Sequence, residues 1–342
     1  MDENKENPAE LPNNDRKELI ERIRITFPRF RGVLDKIAYC HAHSKIAAEP
    51  ECLLITGVQG AGKTTLCRMY ARRYPRTVTR EGKVIQVLST SAPSITTKKS
   101  LPTRLLKDLG DGAAEKGTSV SQTLRIIKMV EDCGVELIIL DEFQHFIDSD
   151  SDVVLVNISN WLKDLINETG KPVVLAGMPQ SEDVLAANPQ LERRFSMRES
   201  LEPFGWDASA KQDEFRSFLR HLDRKLPLPE RSNFASYELA FRIYCATQGL
   251  IGYVMKLVRR TANLAVERKL TRVDMNLLAE SYDERLSARM PRQPNPFRVA
   301  LEELSIEPPQ SGHAVKKNNR RSKPRAGSHS ASEVLSRRRK KN

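Results

Sequence analysis

The sequence predicts a doubly wound α/β fold built on a central parallel sheet, followed by a small all-helical module. Four short apolar segments, each typical of a buried strand, alternate with segments of helical periodicity. These predicted strands lie at 52–56, 84–88, 137–140 and 173–176. After Pro203 the strand pattern stops, and helical segments are predicted at 209–226, 234–248, 250–269 and 271–287.

Composition marks the boundaries of these regions. Residues 1–14 are rich in Asn, Glu and Pro, and we predict that they are disordered. The sheet domain, with two N-terminal helical segments, is assigned to 15–205, and the helical lid module to 206–288. Residues 289–342 are rich in Pro, Ser, Lys and Arg without periodicity, which predicts a flexible basic tail.

The net charge of +12 comes mostly from that tail. Residues 311–342 carry eleven Lys or Arg and a single acid, a net charge of +10. The charge therefore indicates a basic tail and not a uniformly basic globule. Such a tail could hold DNA nonspecifically through its phosphates, or it could bind an acidic protein partner.

Other features exclude several classes of protein. The five cysteines are scattered and form no C-x-x-C pair, so neither a disulfide framework nor a zinc ribbon is expected. No apolar run approaches the roughly 20 residues that span a bilayer. The polar N-terminus has no apolar segment of the kind found in signal peptides, so we expect a cytoplasmic protein without membrane contact.

A glycine-rich loop between the first predicted strand and the next helix has the P-loop pattern. It runs Gly57-Val58-Gln59-Gly60-Ala61-Gly62-Lys63-Thr64, with Thr65 next. The glycines allow backbone N–H groups to turn toward phosphates at the positive end of a helix. Lys63 is expected to contact the β- and γ-phosphates, and the Thr64 hydroxyl to ligate Mg²⁺. The loop therefore predicts ATP and Mg²⁺ as cofactors.

Two acids, Asp141 and Glu142, follow the third predicted strand. The carboxyl end of a buried strand is where open α/β sheets bind ligands. Asp141 is expected to hold the Mg²⁺ shell, and Glu142 to activate the attacking water as a general base. Since a small-molecule P-loop kinase seldom needs such a base, Glu142 favours hydrolysis of ATP over phosphoryl transfer.

Two arginines, Arg193 and Arg194, follow the fourth predicted strand. In an oligomeric ATPase, an arginine at this point can reach the γ-phosphate bound by the neighbouring subunit and neutralise charge in the transition state. Either residue is a candidate for this arginine finger. Arg194, which immediately precedes Phe195, is the preferred one.

Taken together, the motifs from about residue 28 to 204 resemble the TniB/TnsC-type AAA+ regulators of DNA transposition. The resemblance is carried by Phe27-Pro-Arg29, the P-loop through Thr65, Leu140-Asp-Glu-Phe-Gln-His145, Pro172-Val-Val-Leu-Ala-Gly-Met-Pro179 and Leu191-Glu-Arg-Arg-Phe195. It implies an AAA+ P-loop NTPase that assembles as rings or helical filaments on double-stranded DNA. It also implies that the protein connects a target-site selector protein to a transposase.

The same resemblance implies that the segment after the second strand faces DNA. The residues in that region with side chains suited to phosphate oxygens are Lys98, Lys99, Arg104, Lys116 and Thr118. A solvated loop that carries lysines by chance is the alternative for each of them.

The chain departs from the AAA+ pattern at two places. Ala176-Gly-Met178 stands where a polar sensor residue often follows the fourth strand, and Gly249-Leu-Ile-Gly252 lacks the lid arginine of a Gly-x-x-Arg motif. We therefore expect ATP hydrolysis that is slow or depends on a partner. A helicase-loader or initiator ATPase would share every motif, whereas a small-molecule P-loop kinase is opposed by Glu142, Arg194 and the helical module.

Overall fold

The computed structural model describes residues 9–44, 46, 49–80, 82–93, 99–146, 152–289 and 294–306. All of them fall within one compact unit, Met1–Pro309. The tail beyond residue 306 and residues 1–8 of the predicted disordered segment lie outside the described residues.

The first part of the chain forms an α/β domain. Its helices are α1 (Asn13–Arg22), α2 (Pro28–His43), α3 (Lys63–Ala71), α4 (Ser100–Leu109), α5 (Ser119–Asp132), α6 (Asp152–Thr169), α7 (Glu182–Ala186) and α8 (Pro189–Arg194). Its strands are β1 (Leu53–Thr56), β2 (Thr77–Thr79), β3 (Gly82–Val84), β4 (Val87–Ser91), β5 (Leu137–Asp141), β6 (Val173–Gly177) and β7 (Met197–Ser200).

Five of these strands form one parallel sheet in the order β4-β5-β6-β1-β7. Successive side chains point to opposite faces, and each face has its own apolar core. In β1, for example, Leu53 and Ile55 belong to one core and Leu54 to the other. Because both faces are buried, the central strands are continuous apolar runs, as the sequence predicts. The predicted α/β fold with a central parallel sheet is confirmed.

The helical module consists of α9 (Ser209–Lys225), α10 (Tyr237–Thr247), α11 (Ile251–Glu267) and α12 (Met275–Arg285). Its core is continuous with the core on one face of the sheet, since Phe204, Phe218 and Leu257 share a cluster with Phe30 and Leu34. Helix α1 packs on α11. The nucleotide-binding loop and the module are therefore parts of one packed structure.

Several boundaries differ from the prediction. The strand predicted at 84–88 is instead the end of the β2–β3 hairpin followed by β4, which begins at Val87. Edge strand β7 has no counterpart in the prediction. The region predicted as a tail from residue 289 includes Phe297, which is 6% exposed and packs near Tyr282. Arg242 holds this segment by donating hydrogen bonds to the carbonyl oxygens of residues 296 and 299.

No helix among the described residues is both long enough and apolar enough to cross a membrane. All five cysteines are buried and unpaired, so the structure contains no disulfide between them. The described part of the chain also contains no cluster of three or more His, Cys, Asp or Glu side chains that could bind a metal by themselves.

Candidate nucleotide-binding site

The P-loop joins the carboxyl end of β1 to the first residue of α3. Gly60 and Gly62 have left-handed backbone conformations, with φ of 87° and 100°, which favour glycine. At Gly62 a Cβ atom would lie 2.5 Å from the ring of Phe30 on α2, so a side chain does not fit. The loop is thus shaped by α2 as well as by its own glycines, and it leads into the N-terminus of a helix, a position suited to phosphate.

Lys63 is 6% exposed and its ammonium group lies inside the loop. Its Nζ donates hydrogen bonds to the carbonyl oxygens of Gly57 at 2.7 Å and Val58 at 3.1 Å. Burial holds the pKa of the ammonium below its ordinary value, while the Glu142 and Asp141 carboxylates act in the opposite direction. A phosphate oxygen would offer this buried cation a stronger partner than a neutral carbonyl group.

Asp141 ends β5 and is 5% exposed. Burial raises the pKa of its carboxyl group, and hydrogen bonds from the Thr64 hydroxyl and the Glu142 N–H oppose that shift. Thr64 Oγ1 also lies 3.3 Å from Glu142 Oε1. Lys63, Thr64, Asp141 and Glu142 therefore meet at the carboxyl edge of the sheet, and these four residues are called the strand-end site below.

The strand-end site is suited to Mg²⁺ only in combination with phosphate. Mg²⁺ is commonly held by one or two carboxylates, waters and substrate phosphates, and not by a dedicated cage of protein ligands. The Thr64 hydroxyl and the buried Asp141 carboxylate share a hydrogen bond, so their oxygens lie close enough to take part in one coordination shell. This donor set fits the ion that the sequence predicts.

Glu142 adopts a left-handed backbone conformation, with φ of 56°, although it is not a glycine. Such a conformation costs on the order of 1 kcal/mol, so the surroundings must hold it. The Glu142 N–H donates to Asp141 Oδ1 at 2.9 Å, and the carboxylate accepts a hydrogen bond from Gln144 Nε2. The carboxylate also lies within reach of the Thr64 hydroxyl, whose single hydrogen it shares with Asp141. Gln144 belongs to the sequence motif at 140–145, but sequence reasoning assigned it no role.

The helical module contacts the P-loop directly. The backbone N–H of Gly252, at the start of α11, donates to the carbonyl oxygen of Gly60 at 2.8 Å. A Cβ atom on Gly252 would lie 2.9 Å from that oxygen, so glycine allows the close approach. The segment that lacks the expected lid arginine is therefore the place where the lid and the P-loop touch.

The two candidate finger arginines have different environments. Arg194 forms an ion pair with Glu49 at 2.7 Å and donates to Asn167 Oδ1 at 3.1 Å. Arg193, the preceding residue of α8, is exposed. Within the described part of the chain, neither arginine forms a hydrogen bond or ion pair with the strand-end site. They do not complete the site of their own subunit.

The residues predicted to face DNA are only partly brought together. Lys98 lies outside the described residues. Lys99 Nζ donates to the carbonyl oxygen of Gly117 at 3.1 Å, which places it beside Lys116 and Thr118. These three residues are exposed, whereas Arg104 lies on α4 and is paired with Asp108 at 3.0 Å.

Several solved structures are similar to this architecture, although no curated protein matches the chain. The fold is similar to that of the Aeropyrum pernix ORC1 protein in complex with DNA, with a TM-score of 0.58, 15% identity, and coverage of 78% of this chain and 69% of that chain. It is also similar to Cdc6p from Pyrobaculum aerophilum, with a TM-score of 0.58, 13% identity, and coverage of 81% and 74%.

A third similar structure is that of the Aeropyrum pernix ORC2 protein in its ADPNP-ADP complexes. Its TM-score is 0.56 at 13% identity, with coverage of 81% of this chain and 74% of that chain. At such identities the likeness concerns the fold alone, and it confirms the AAA+ fold. The family model described as bacterial TniB protein matches residues 17–205, which is more than half of the chain. The chain therefore belongs to the TniB family.

Proposed function

We propose that this protein is an ATP-dependent, DNA-binding AAA+ regulator of transposition. It assembles as rings or filaments on double-stranded DNA and links a target-site selector protein to a transposase. The observation that carries the proposal is the strand-end site, where Lys63, Thr64, Asp141 and Glu142 meet beside the P-loop.

The geometry of the loop supports the proposed binding of ATP. Its backbone, residues 57–65, would surround the phosphates, and Lys63 would exchange its carbonyl partners for phosphate oxygens. Thr64 and Asp141 would hold Mg²⁺, which would neutralise phosphate charge when bound. The related fold of the Aeropyrum pernix ORC2 protein, in its ADPNP-ADP complexes, supports nucleotide binding here.

Hydrolysis uses Glu142 as the general base for the attacking water. An arginine of a neighbouring subunit neutralises the negative charge that develops in the transition state. Between the two candidates the contacts favour Arg193, because Arg194 is held by Glu49 and Asn167 whereas Arg193 is exposed. This choice reverses the preference based on sequence. Because the site needs a second subunit, turnover by an isolated subunit is slow.

DNA is held by exposed lysine and threonine side chains near the start of α5. Lys99, Lys116 and Thr118 lie close together there and suit phosphate oxygens. Arg104 contributes less, since it is already paired with Asp108. The similar fold of the ORC1 protein in complex with DNA supports DNA binding here.

Electron microscopy tests the proposal directly. With a nonhydrolysable ATP analogue and plain duplex DNA, we expect rings or filaments on the DNA. Samples without nucleotide, and the variant Lys63→Ala, should give none. If the wild-type protein forms no assemblies with both ligands present, the transposition-regulator function fails. A helicase-loader function would survive that result if the protein bound a replicative helicase.

A further inference from the structure

The side chain of Gln144 connects the proposed general base to the neighbouring strand. Gln144 lies in a short helical turn directly after β5 and is 9% exposed. Its Oε1 accepts a hydrogen bond from the backbone N–H of Met178, at 3.2 Å, immediately after β6. Its Nε2 donates to Glu142 Oε2. One buried amide group therefore bridges the two strand ends.

The orientation of this amide group is determined by its partners. A backbone N–H can only donate, so the oxygen of the amide group must face Met178. The NH₂ group is then directed at Glu142, whose ionised carboxylate can only accept. Both hydrogen bonds are satisfied in this orientation alone.

The end of β6 is built to allow this close contact. A Cβ atom on Gly177 would lie 2.1 Å from Ser181 Oγ and 3.2 Å from Gln144 Oε1. A side chain at Gly177 would therefore disturb the bridge. This is the segment, Ala176-Gly-Met178, that has no polar sensor side chain of its own.

The second oxygen of Glu142 has a different kind of partner. Oε1 lies 3.3 Å from Thr64 Oγ1, the hydroxyl group that the proposed function assigns to Mg²⁺. A hydroxyl group that ligated the ion through a lone pair could still donate its hydrogen to Oε1, but its position would then depend on the metal as well. Gln144 Nε2 is the partner of Glu142 that has no part in holding the ion.

We propose that Gln144 is a positioning residue for Glu142 and takes the place of the missing sensor side chain. It couples the direction of the general base to the backbone at the end of β6. This inference rests on the proposed ATPase function, because it assigns Gln144 a role only if Glu142 activates water.

The test is steady-state ATP hydrolysis by variants that break the bridge at each end. Gln144→Glu keeps the shape of the side chain but replaces the NH₂ donor with an oxygen, and its negative charge repels the Glu142 carboxylate. Met178→Pro removes the N–H that Gln144 accepts from, and φ at Met178 is −71°, which proline adopts without strain. Both variants are compared with wild type and with Glu142→Gln, in the presence of duplex DNA.

We expect Gln144→Glu to lower kcat about 10- to 100-fold while KM for ATP changes less than about twofold, since only the transition state loses support. Met178→Pro should lower kcat by a smaller factor. The double variant Glu142→Gln/Gln144→Glu should be no slower than Glu142→Gln alone, because residues that act as a unit are not additive. A merely structural role would instead give additive losses and weaker ATP binding.

Two negative results have different meanings. If wild type hydrolyses ATP and Glu142→Gln does not, but Gln144→Glu and Met178→Pro equal wild type, the role of Gln144 is refuted and the ATPase function stands. If wild type with DNA hydrolyses no ATP, the ATPase function itself fails, and the role of Gln144 fails with it.

Discussion

The strand-end site and the exposed cations of this protein are held in very different ways. Lys63 and Asp141 are each at most 6% exposed, and each has hydrogen-bond partners within the chain. Lys99, Lys116 and Arg193, called the exposed cations below, lie at the surface. A buried charge is costly without partners, whereas an exposed charge is already solvated by water.

This difference shows which parts of the function one chain can build alone. The fold must satisfy the buried charges, so the nucleotide site is preformed in a single subunit. The fold does not need the exposed cations, since surface charges contribute little to stability. Under the proposed function these cations act on another molecule, namely DNA for the two lysines and a neighbouring subunit for Arg193.

The largest effect is expected from an exposed cation. Arg193→Ala should lower ATP hydrolysis on DNA by about 10³-fold, because an arginine finger stabilises the transition-state charge. Thermal stability and ATP affinity should not change. Arg194→Ala is the matched control. It removes the contacts with Glu49 and Asn167, so it should lower the thermal stability more than the rate of hydrolysis. If Arg194→Ala abolishes hydrolysis and Arg193→Ala does not, the assignment based on these contacts is wrong.

A substitution inside the strand-end site should slow ATP hydrolysis while leaving ATP binding intact. Glu142→Gln should reduce hydrolysis by about 10²- to 10³-fold, as expected for loss of a general base. ATP binding and assembly on DNA should remain, because Lys63, Thr64 and Asp141 are intact. Phosphate release and calorimetric titration with ATP measure the two quantities. Loss of binding together with hydrolysis would remove Glu142 from the role of base.

Replacing the two exposed lysines should weaken the binding of DNA without changing the binding of nucleotide. Lys99→Ala/Lys116→Ala should weaken duplex binding about tenfold and reduce the salt dependence of the affinity by about one unit of slope per lost phosphate contact. Fluorescence anisotropy across a salt series gives both values. The control Lys211→Ala/Lys225→Ala removes the same two charges from α9 of the helical module, where Lys211 is paired with Asp207. Equal losses in both proteins would mean that only net charge matters.

The smallest effects concern two glycines that differ in their surroundings. Gly252→Ala places a Cβ atom 2.9 Å from the carbonyl oxygen of Gly60, so we expect a loss of about 1–3 kcal/mol of unfolding free energy. Gly32→Ala, in α2, has no heavy atom within 4 Å of the new Cβ and should gain about 0.5–1 kcal/mol. Urea unfolding of both variants checks the pair, and a stable Gly252→Ala protein would argue against a tight contact between lid and loop.

The sequence predicts the buried parts of this molecule better than its edges. β1, β5 and β6 are apolar on both faces, so their composition alone identifies them. β7 is an edge strand with exposed positions such as Arg198, and four residues of mixed polarity do not stand out as a strand. The same contrast explains why the P-loop and its acids are recognisable without a structure.

Contacts between distant segments are what the sequence does not show. Arg193 and Arg194 are adjacent, and the positions of Glu49 and Asn167 across the fold distinguish them. Gln144 is two residues from Glu142, but its role depends on β6 lying beside β5, which is set by the sheet order. Residue spacing along the chain carries no information about either contact.

The most direct test of a site shared between subunits is a mixture of two inactive variants. Arg193→Ala retains Glu142, and Glu142→Gln retains Arg193. In an equimolar mixture on DNA, about one interface in four pairs an intact Glu142 with an intact Arg193, since subunits assort at random in head-to-tail assemblies. We predict that the mixture recovers about a quarter of the wild-type rate of ATP hydrolysis. A mixture as inactive as its two components would contradict a site completed by the neighbouring subunit.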